Sequence, residues 1–272
     1  MNRNAQALRH PAGAVALLAA AASLVLAGCG GSNGSGATTG GSGSVPSNTA
    51  SSSSSASASS SSGSGSTSVV SSGSVAFPIA VGNTWRYTDS VGKSVDKIVS
   101  VTPVSGGQQV QMDSTITSLG LESHSTGYYI FHPDGSITYP FSQFNDTGSG
   151  TTKVTLLSGT ITFPSASALA SGQVSHGTLK IQFTTSGVTK DVTADITVKG
   201  GGTQTVTVPA GTYSASVVDM TMSETVEGIS VSSEVMTWFA NGVGPVKSEV
   251  ILVEAGTNHV AGVNQLTSFT KG

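Results

Sequence analysis

The chain has 272 residues, with 11 basic and 14 acidic side chains, 35 glycines and one cysteine, and only 9% of it is charged. So few Lys and Arg, spread singly, cannot form a phosphate-neutralising stripe, which excludes a nucleic-acid binder. A single cysteine excludes a disulfide framework and a cysteine-rich zinc site, and no heptad stretch supports a coiled coil.

Residues 1–28 read as a secretory signal peptide. Arg3 and Arg9 supply a positive start, and Gly13 to Ala27 form an apolar run of about 15 residues broken only by Ser23. That run is short of the ~20 residues a spanning helix needs. It ends in Leu26, Ala27, Gly28 and Cys29, the chain's one cysteine. This ending resembles the lipobox of bacterial lipoproteins. The resemblance implies a diacylglycerol thioether on Cys29, cleavage before it and acylation of the new amine. Two or three acyl chains anchor stably, whereas one binds reversibly. Gly30 stands where an aspartate would imply inner-membrane retention, so the resemblance implies a lipid-anchored protein of the cell envelope, at the outer membrane of a diderm bacterium. Losing Arg3 and Arg9 leaves 9 basic against 14 acidic side chains, a formal charge of −5. The expected membrane partner is therefore reached through lipid on Cys29 rather than through a basic patch.

Residues 29–74 read as the acylated cysteine and a disordered tether. Positions 30–74 hold no charged and no aromatic residue, and Ser51 to Ser66 holds twelve serines in sixteen positions. Such a segment buries too little apolar surface to offset the entropy of ordering it. A flexible coil of this length spans roughly 35–40 Å. Gly30 to Gly34 matches the G-x-S-x-G nucleophile pattern, but that motif acts only on a strained strand-to-helix turn.

Residues 75–272 read as one all-β domain. Val188 to Val198 alternate apolar residues with Thr and Asp, with Lys190 the exception on the apolar face. Leu179, Ile181 and Phe183 alternate with Lys180 and Gln182, and Val110, Met112 and Ile116 with Gln111, Asp113 and Thr115. Ile229, Val231, Val235 and Phe239 share a face opposite Glu234. Period-2 runs of this kind predict half-buried antiparallel strands. Breaks at Gly106-Gly107, Asp134-Gly135, Gly187 and Gly200–Gly202 predict hairpin turns, and Ser165 to Ser171 supports a turn or two of helix at most. The expectation is about eleven strands in a curved antiparallel sheet, a barrel or a sandwich, folding as a monomer.

Three segments carry a resemblance: Phe77–Tyr87 (FPIAVGNTWRY), Val206–Tyr213 (VTVPAGTY) and Trp238–Glu249 (WFANGVGPVKSE). Their order and spacing resemble a group of uncharacterised bacterial lipoprotein and periplasmic domains, similar in outline to the LolA/LolB-like lipoprotein carriers. The resemblance implies a curved antiparallel sheet around an apolar cavity, and it brings no catalytic residues. Taken alone, Trp85 and Trp238 predict core packing between the first strand and a late one, with ligand stacking as the alternative. Gly242 and Gly244 predict a chain reversal.

Chemistry-bearing residues are sparse. His132 and Asp134 could supply two metal ligands but lie on a predicted turn without a third, and His124, His176 and His259 are isolated. Glu224, Glu227 and Glu234 flank Gly228 in a predicted hairpin, read as a solvated edge. No metal and no cofactor is expected. The compositional anomaly is aromatic: Tyr128, Tyr129, Phe131, Tyr139, Phe141 and Phe144 fall within seventeen residues. They predict either a core hairpin or an aromatic surface that grips an apolar or glycan ligand. Tyr128 and Tyr129 must point to opposite faces of a strand. Three functions remain open: a non-enzymatic tethered binding or scaffolding module, a carrier or sensor of an apolar ligand, and a hydrolase of envelope polysaccharide.

Overall fold

A computed structural model describes residues 77–90, 92–118, 121–140, 152–185, 188–226, 229–254 and 257–272. The predicted signal peptide, Cys29 and tether lie outside them, as do Phe141, Phe144, Gly187, Glu227 and Gly228.

The domain is nearly all β. Its strands are β1 (Thr84–Thr88), β2 (Gly92–Val104), β3 (Gly107–Ser118), β4 (Leu121–Phe131), β5 (Ile137–Pro140), β6 (Thr152–Ser158), β7 (Thr160–Phe163), β8 (Ser175–Thr185), β9 (Val188–Val208), β10 (Gly211–Val226), β11 (Ile229–Ala240), β12 (Gly244–Glu254) and β13 (Thr257–Thr270). Among the described residues, one short helix, α1 (Ala166–Ala170), is capped by Ser165. The sequence pattern predicts about eleven strands, and the described residues form thirteen. The four-residue strands β5 and β7 are too short to display a period.

All thirteen strands form one antiparallel sheet in the order β6-β8-β9-β10-β11-β12-β13-β1-β2-β3-β4-β5-β7. The two edges, β6 and β7, are consecutive in sequence and separated only by Gly159. Thr152–Ser158 pairs with β8, and Thr160–Phe163 then pairs with β5. One bent segment thus bridges both edges and nearly closes the sheet into a barrel, which reduces the exposed edge to a minimum.

Gly159 makes this bend possible. Its φ is +115°, and a Cβ there would stand 2.4 Å from the carbonyl oxygen of Thr178 and 2.8 Å from Cδ2 of Leu179. Gly159→Ala is therefore expected to cost about 2–3 kcal/mol through backbone strain and overpacking. Thermal denaturation checks this against Gly262→Ala, where a Cβ meets nothing within 4 Å. Equal melting temperatures for the two variants would contradict the closure role.

The hairpin turns at Gly106 and Gly135 have φ of +83° and +84°, as turn chemistry requires. Gly200–Gly202 departs from the expected turn. It lies inside the 21-residue strand β9. Gly200 and Gly201 answer to close approach, since a Cβ on Gly200 would stand 2.7 Å from the Leu169 carbonyl oxygen and one on Gly201 2.9 Å from Val217, whereas Gly202 answers to its φ of +79°. Gly200 thereby lets α1 pack directly on the sheet, with Leu169 buried.

The segment before β1 and the segment after β13 meet at Asn83, which is 2% exposed. Its Nδ2 donates to the Pro78 carbonyl at 2.7 Å, and its Oδ1 accepts from the Gly272 backbone amide at 2.9 Å. Because β13 pairs with β1, the first and last strands are neighbours.

Candidate functional site

Alternation along each strand sends one set of side chains into the barrel. Across β1, β2 and β3 the register aligns Trp85, Asp96 and Ser114. Across β10, β11 and β12 it aligns Met220, Val235 and Val250. Between these two walls lies a cavity of about 100 Å³. It is lined by Phe77 ahead of β1, then Trp85, Tyr87, Asp96, Met112, Tyr129 and Phe131 from β1 to β4. Gly135, Ile137, Tyr139, Phe163 and Pro164 close one side, and Val218, Met220, Val235, Thr237, Phe239 and Pro245 the other.

Most rings of the aromatic lining pack against one another or are hydrogen-bonded. Phe77 packs between Trp85 and Phe131, with ring centroids 4.9 and 5.4 Å away. Tyr129 stacks on Tyr139 at 4.9 Å. Trp85 stacks on Phe269 at 5.1 Å, and its Nε1 donates to the Val243 carbonyl at 2.6 Å. Tyr87 Oη donates to the Pro245 carbonyl at 3.0 Å. These bonds tie β1 to the start of β12, so the reversal at Gly242 and Gly244, with φ of +72° and +95°, sets the position of both rings.

Among the described residues, Asp96 is the one charged-type side chain in the lining, and it is 1% exposed. Ser114 Oγ donates to its carboxyl at 2.6 Å. Burial outweighs that bond and pushes the Asp96 carboxyl up to about 8. The group is thus mainly neutral at pH 7 and can either donate or accept a hydrogen bond.

Of the aromatic residues singled out in the sequence, Tyr129, Phe131 and Tyr139 come together in this cavity. Tyr128 takes the opposite face of β4 and is half-buried, as adjacency requires. Phe77, Trp85, Tyr87, Phe163 and Phe239 complete the aromatic lining. Phe163 ends β7 beside no obvious motif, and Asp96 sits among mixed residues. The available signal for Asp96 is its parity with Ile98, a core residue, in β2.

His132 and Asp134 serve the β4–β5 turn. His132 bonds the Gly106 carbonyl at 2.8 Å and Thr138 at 2.9 Å, while Asp134 accepts from the Ser136 amide and hydroxyl. Those bonds hold the Asp134 carboxyl below its ordinary value. His124 and His176 each meet a threonine on a neighbouring strand at the exposed face. Among the described residues, no group of three or more His, Cys, Asp or Glu could hold a metal ion. Glu224 corrects the expectation of a solvated hairpin edge. It is 4% exposed, because the bulge between Ser216 and Val218 turns Val218, Met220, Met222 and Glu224 inward together. Burial pushes its carboxyl up to about 7.

The three resemblance-bearing segments meet in space. Trp85 and Tyr87, Val206 and Val208, and Trp238, Ala240 and Val246 belong to one buried cluster. Trp238 lies on the face of β11 opposite Phe239, where Gln204 accepts from its Nε1 at 3.0 Å and Lys247 Nζ stands 4.6 Å from its ring. Both tryptophans are therefore core residues, and Trp85 alone also lines the cavity.

The DUF3108-like family profile matches residues 84–251, most of the chain and every cavity-lining residue except Phe77. The chain belongs to the DUF3108-like family. No curated protein matches it. This DUF3108-like chain is similar to the crystal structure of a candidate lipoprotein from Parabacteroides distasonis, with a TM-score of 0.51, 15% identity, and coverage of 71% of this chain and 97% of that one. A candidate exported protein with a YmcC-like fold from Bacteroides fragilis matches with a TM-score of 0.47 and 16% identity, over 72% of this chain and 98% of that one. At these identities the first likeness shows a shared fold for the DUF3108-like barrel and nothing more.

Proposed function

We propose that this protein is a lipid-anchored lipoprotein of the cell envelope, held at the outer membrane through Cys29, whose β domain acts by binding rather than by catalysis. The lipobox-like Leu26–Cys29 supports the anchor, and the naming of the Parabacteroides fold neighbour as a lipoprotein agrees with it. The observation that carries the binding role is the aromatic-lined cavity with its single buried carboxyl. At about 100 Å³ it is well under the ~300 Å³ at which drug-sized ligand pockets begin, so it suits one group of a ligand rather than an enclosed whole lipid. Recognition of a small apolar group is thus favoured over lipid carriage. A polysaccharide hydrolase is disfavoured, because His132 and Asp134 are engaged in turn bonds and Glu224 is buried in a different wall.

The anchor is tested by Cys29→Ser. The variant is expected to leave the membrane fraction and to lose incorporation of labelled palmitate. Unchanged fractionation with unchanged labelling would overturn the anchoring. Binding is tested by native mass spectrometry of the lipoprotein purified from cells, where a co-purifying mass that Trp85→Phe weakens is the expected result.

A further inference from the structure

We infer that the barrel cavity recognises a small organic cation, an alkylated ammonium group held against aromatic faces with Asp96 as its counter-ion; the inference rests on the cavity being the ligand site. Eight of its eighteen lining residues are aromatic, and the negative π face of a ring attracts a cation, most strongly where water is excluded. Among the described residues, the lining contains one carboxyl and no Lys, Arg or His. Among the described residues, the Asp96 carboxyl accepts one hydrogen bond, from Ser114, and has no positive partner, although the residue is 1% exposed. A buried carboxylate is costly unless paired, so the ionised form of Asp96 in this aromatic lining is the form that a positively charged ligand would stabilise. The size agrees. A volume of about 100 Å³ is well below the ~300 Å³ at which drug-sized pockets begin, which suits an ammonium with small alkyl substituents better than a long chain.

Protonation then couples to binding. The titratable groups facing the cavity are Asp96 from β2 and the phenols Tyr87 from β1, Tyr129 from β4 and Tyr139 from β5. The strands β3, β7, β10, β11 and β12 contribute Met, Phe, Val, Thr and Pro side chains to it. The Tyr139 phenol is pushed further up by burial and stays neutral. A cation entering below pH 8 must therefore displace the proton that burial leaves on Asp96.

The test is calorimetric titration of the full-length lipoprotein in nonionic detergent with choline and with 3,3-dimethylbutan-1-ol, its uncharged carbon isostere. At pH 8.5, choline is expected to bind at least tenfold more tightly than the isostere. Its affinity should fall about tenfold for each pH unit below 8, with about one proton released per choline bound at pH 7. Asp96→Asn should reduce choline to the level of the isostere without lowering the melting temperature. Equal binding of both probes to the unaltered protein would overturn the cation and leave the apolar site standing. Binding of neither would overturn the site itself. A choline preference that survives in Asp96→Asn would remove Asp96 as the counter-ion.

Discussion

Raising the pH from 5 to 8 is expected to lower the melting temperature of the ligand-free domain by roughly 5–10 °C, and Asp96→Asn to abolish most of that loss. The Asp96 carboxyl has an ordinary value of 3.8 and is pushed to about 8 in the fold. Below pH 4 the carboxyl is protonated in both folded and unfolded chains and has no influence on their balance. Between pH 4 and 8 the native state keeps a proton that the unfolded state has lost, so stability falls as pH rises, by at most about 1.4 kcal/mol per unit. Local relaxation and water entry reduce the total to a few kcal/mol over this window, and a domain of this size loses about 2–4 °C per kcal/mol. Asn keeps the shape and can still accept from Ser114, but has no proton to lose. Glu224, pushed to about 7, supplies a smaller slope of the same sign that Glu224→Gln should remove. Melting curves at five pH values for the unaltered protein and both variants decide the matter. Parallel curves for Asp96→Asn and the unaltered protein would show that Asp96 is not buried in its carboxyl form.

Trp85→Ala is expected to lower the melting temperature by roughly 10 °C. Trp85 is fully buried, stacks with Phe77 and Phe269, and donates from Nε1 to the Val243 carbonyl. Truncating a buried tryptophan costs about 3–5 kcal/mol, and here the Val243 carbonyl also loses its donor. Trp85→Phe keeps a ring but not the donor, so it separates the two contributions and should cost about 1–2 kcal/mol. Trp238→Ala offers a comparison and should cost less than Trp85→Ala, since Trp238 is covered in part by the long side chains of Gln204 and Lys247 and does not reach the cavity. A smaller loss for Trp85→Ala than for Trp238→Ala would contradict the ranking.

Strand period, turn glycines and the short helical stretch make the all-β architecture legible in the sequence alone. Alternation around Leu179, Val192 and Val235 marks core faces because side chains on a strand answer to a period of two regardless of what the strand pairs with. Closure is not legible in the same way. It depends on Gly159, which in sequence is one glycine among many, and on β5 and β7, which are too short to carry a pattern. The aromatic cluster near Asp134 points to part of the cavity, through Tyr129, Phe131 and Tyr139. The other half comes from β1 and from β10 to β12, far from that cluster along the chain, so no local window contains it. Glu224 departs from its expected place for a related reason. A bulge between Ser216 and Val218 shifts the parity of β10, and register shifts leave no mark in composition.

The Asn83 clamp makes the order of strands along the chain separable from their order in the barrel. Since the Gly272 amide and the Pro78 carbonyl are held by one side chain, a short linker could join Gly272 to residue 77 without moving a strand. New ends could then be opened between β5 and β6. Such a circular permutant would keep every antiparallel pair while relocating the point at which the domain is tied to whatever precedes it. The place of attachment would become an adjustable variable: the same barrel could be presented to its surroundings by either end, and the orientation in which its cavity works could be read from which permutant still functions.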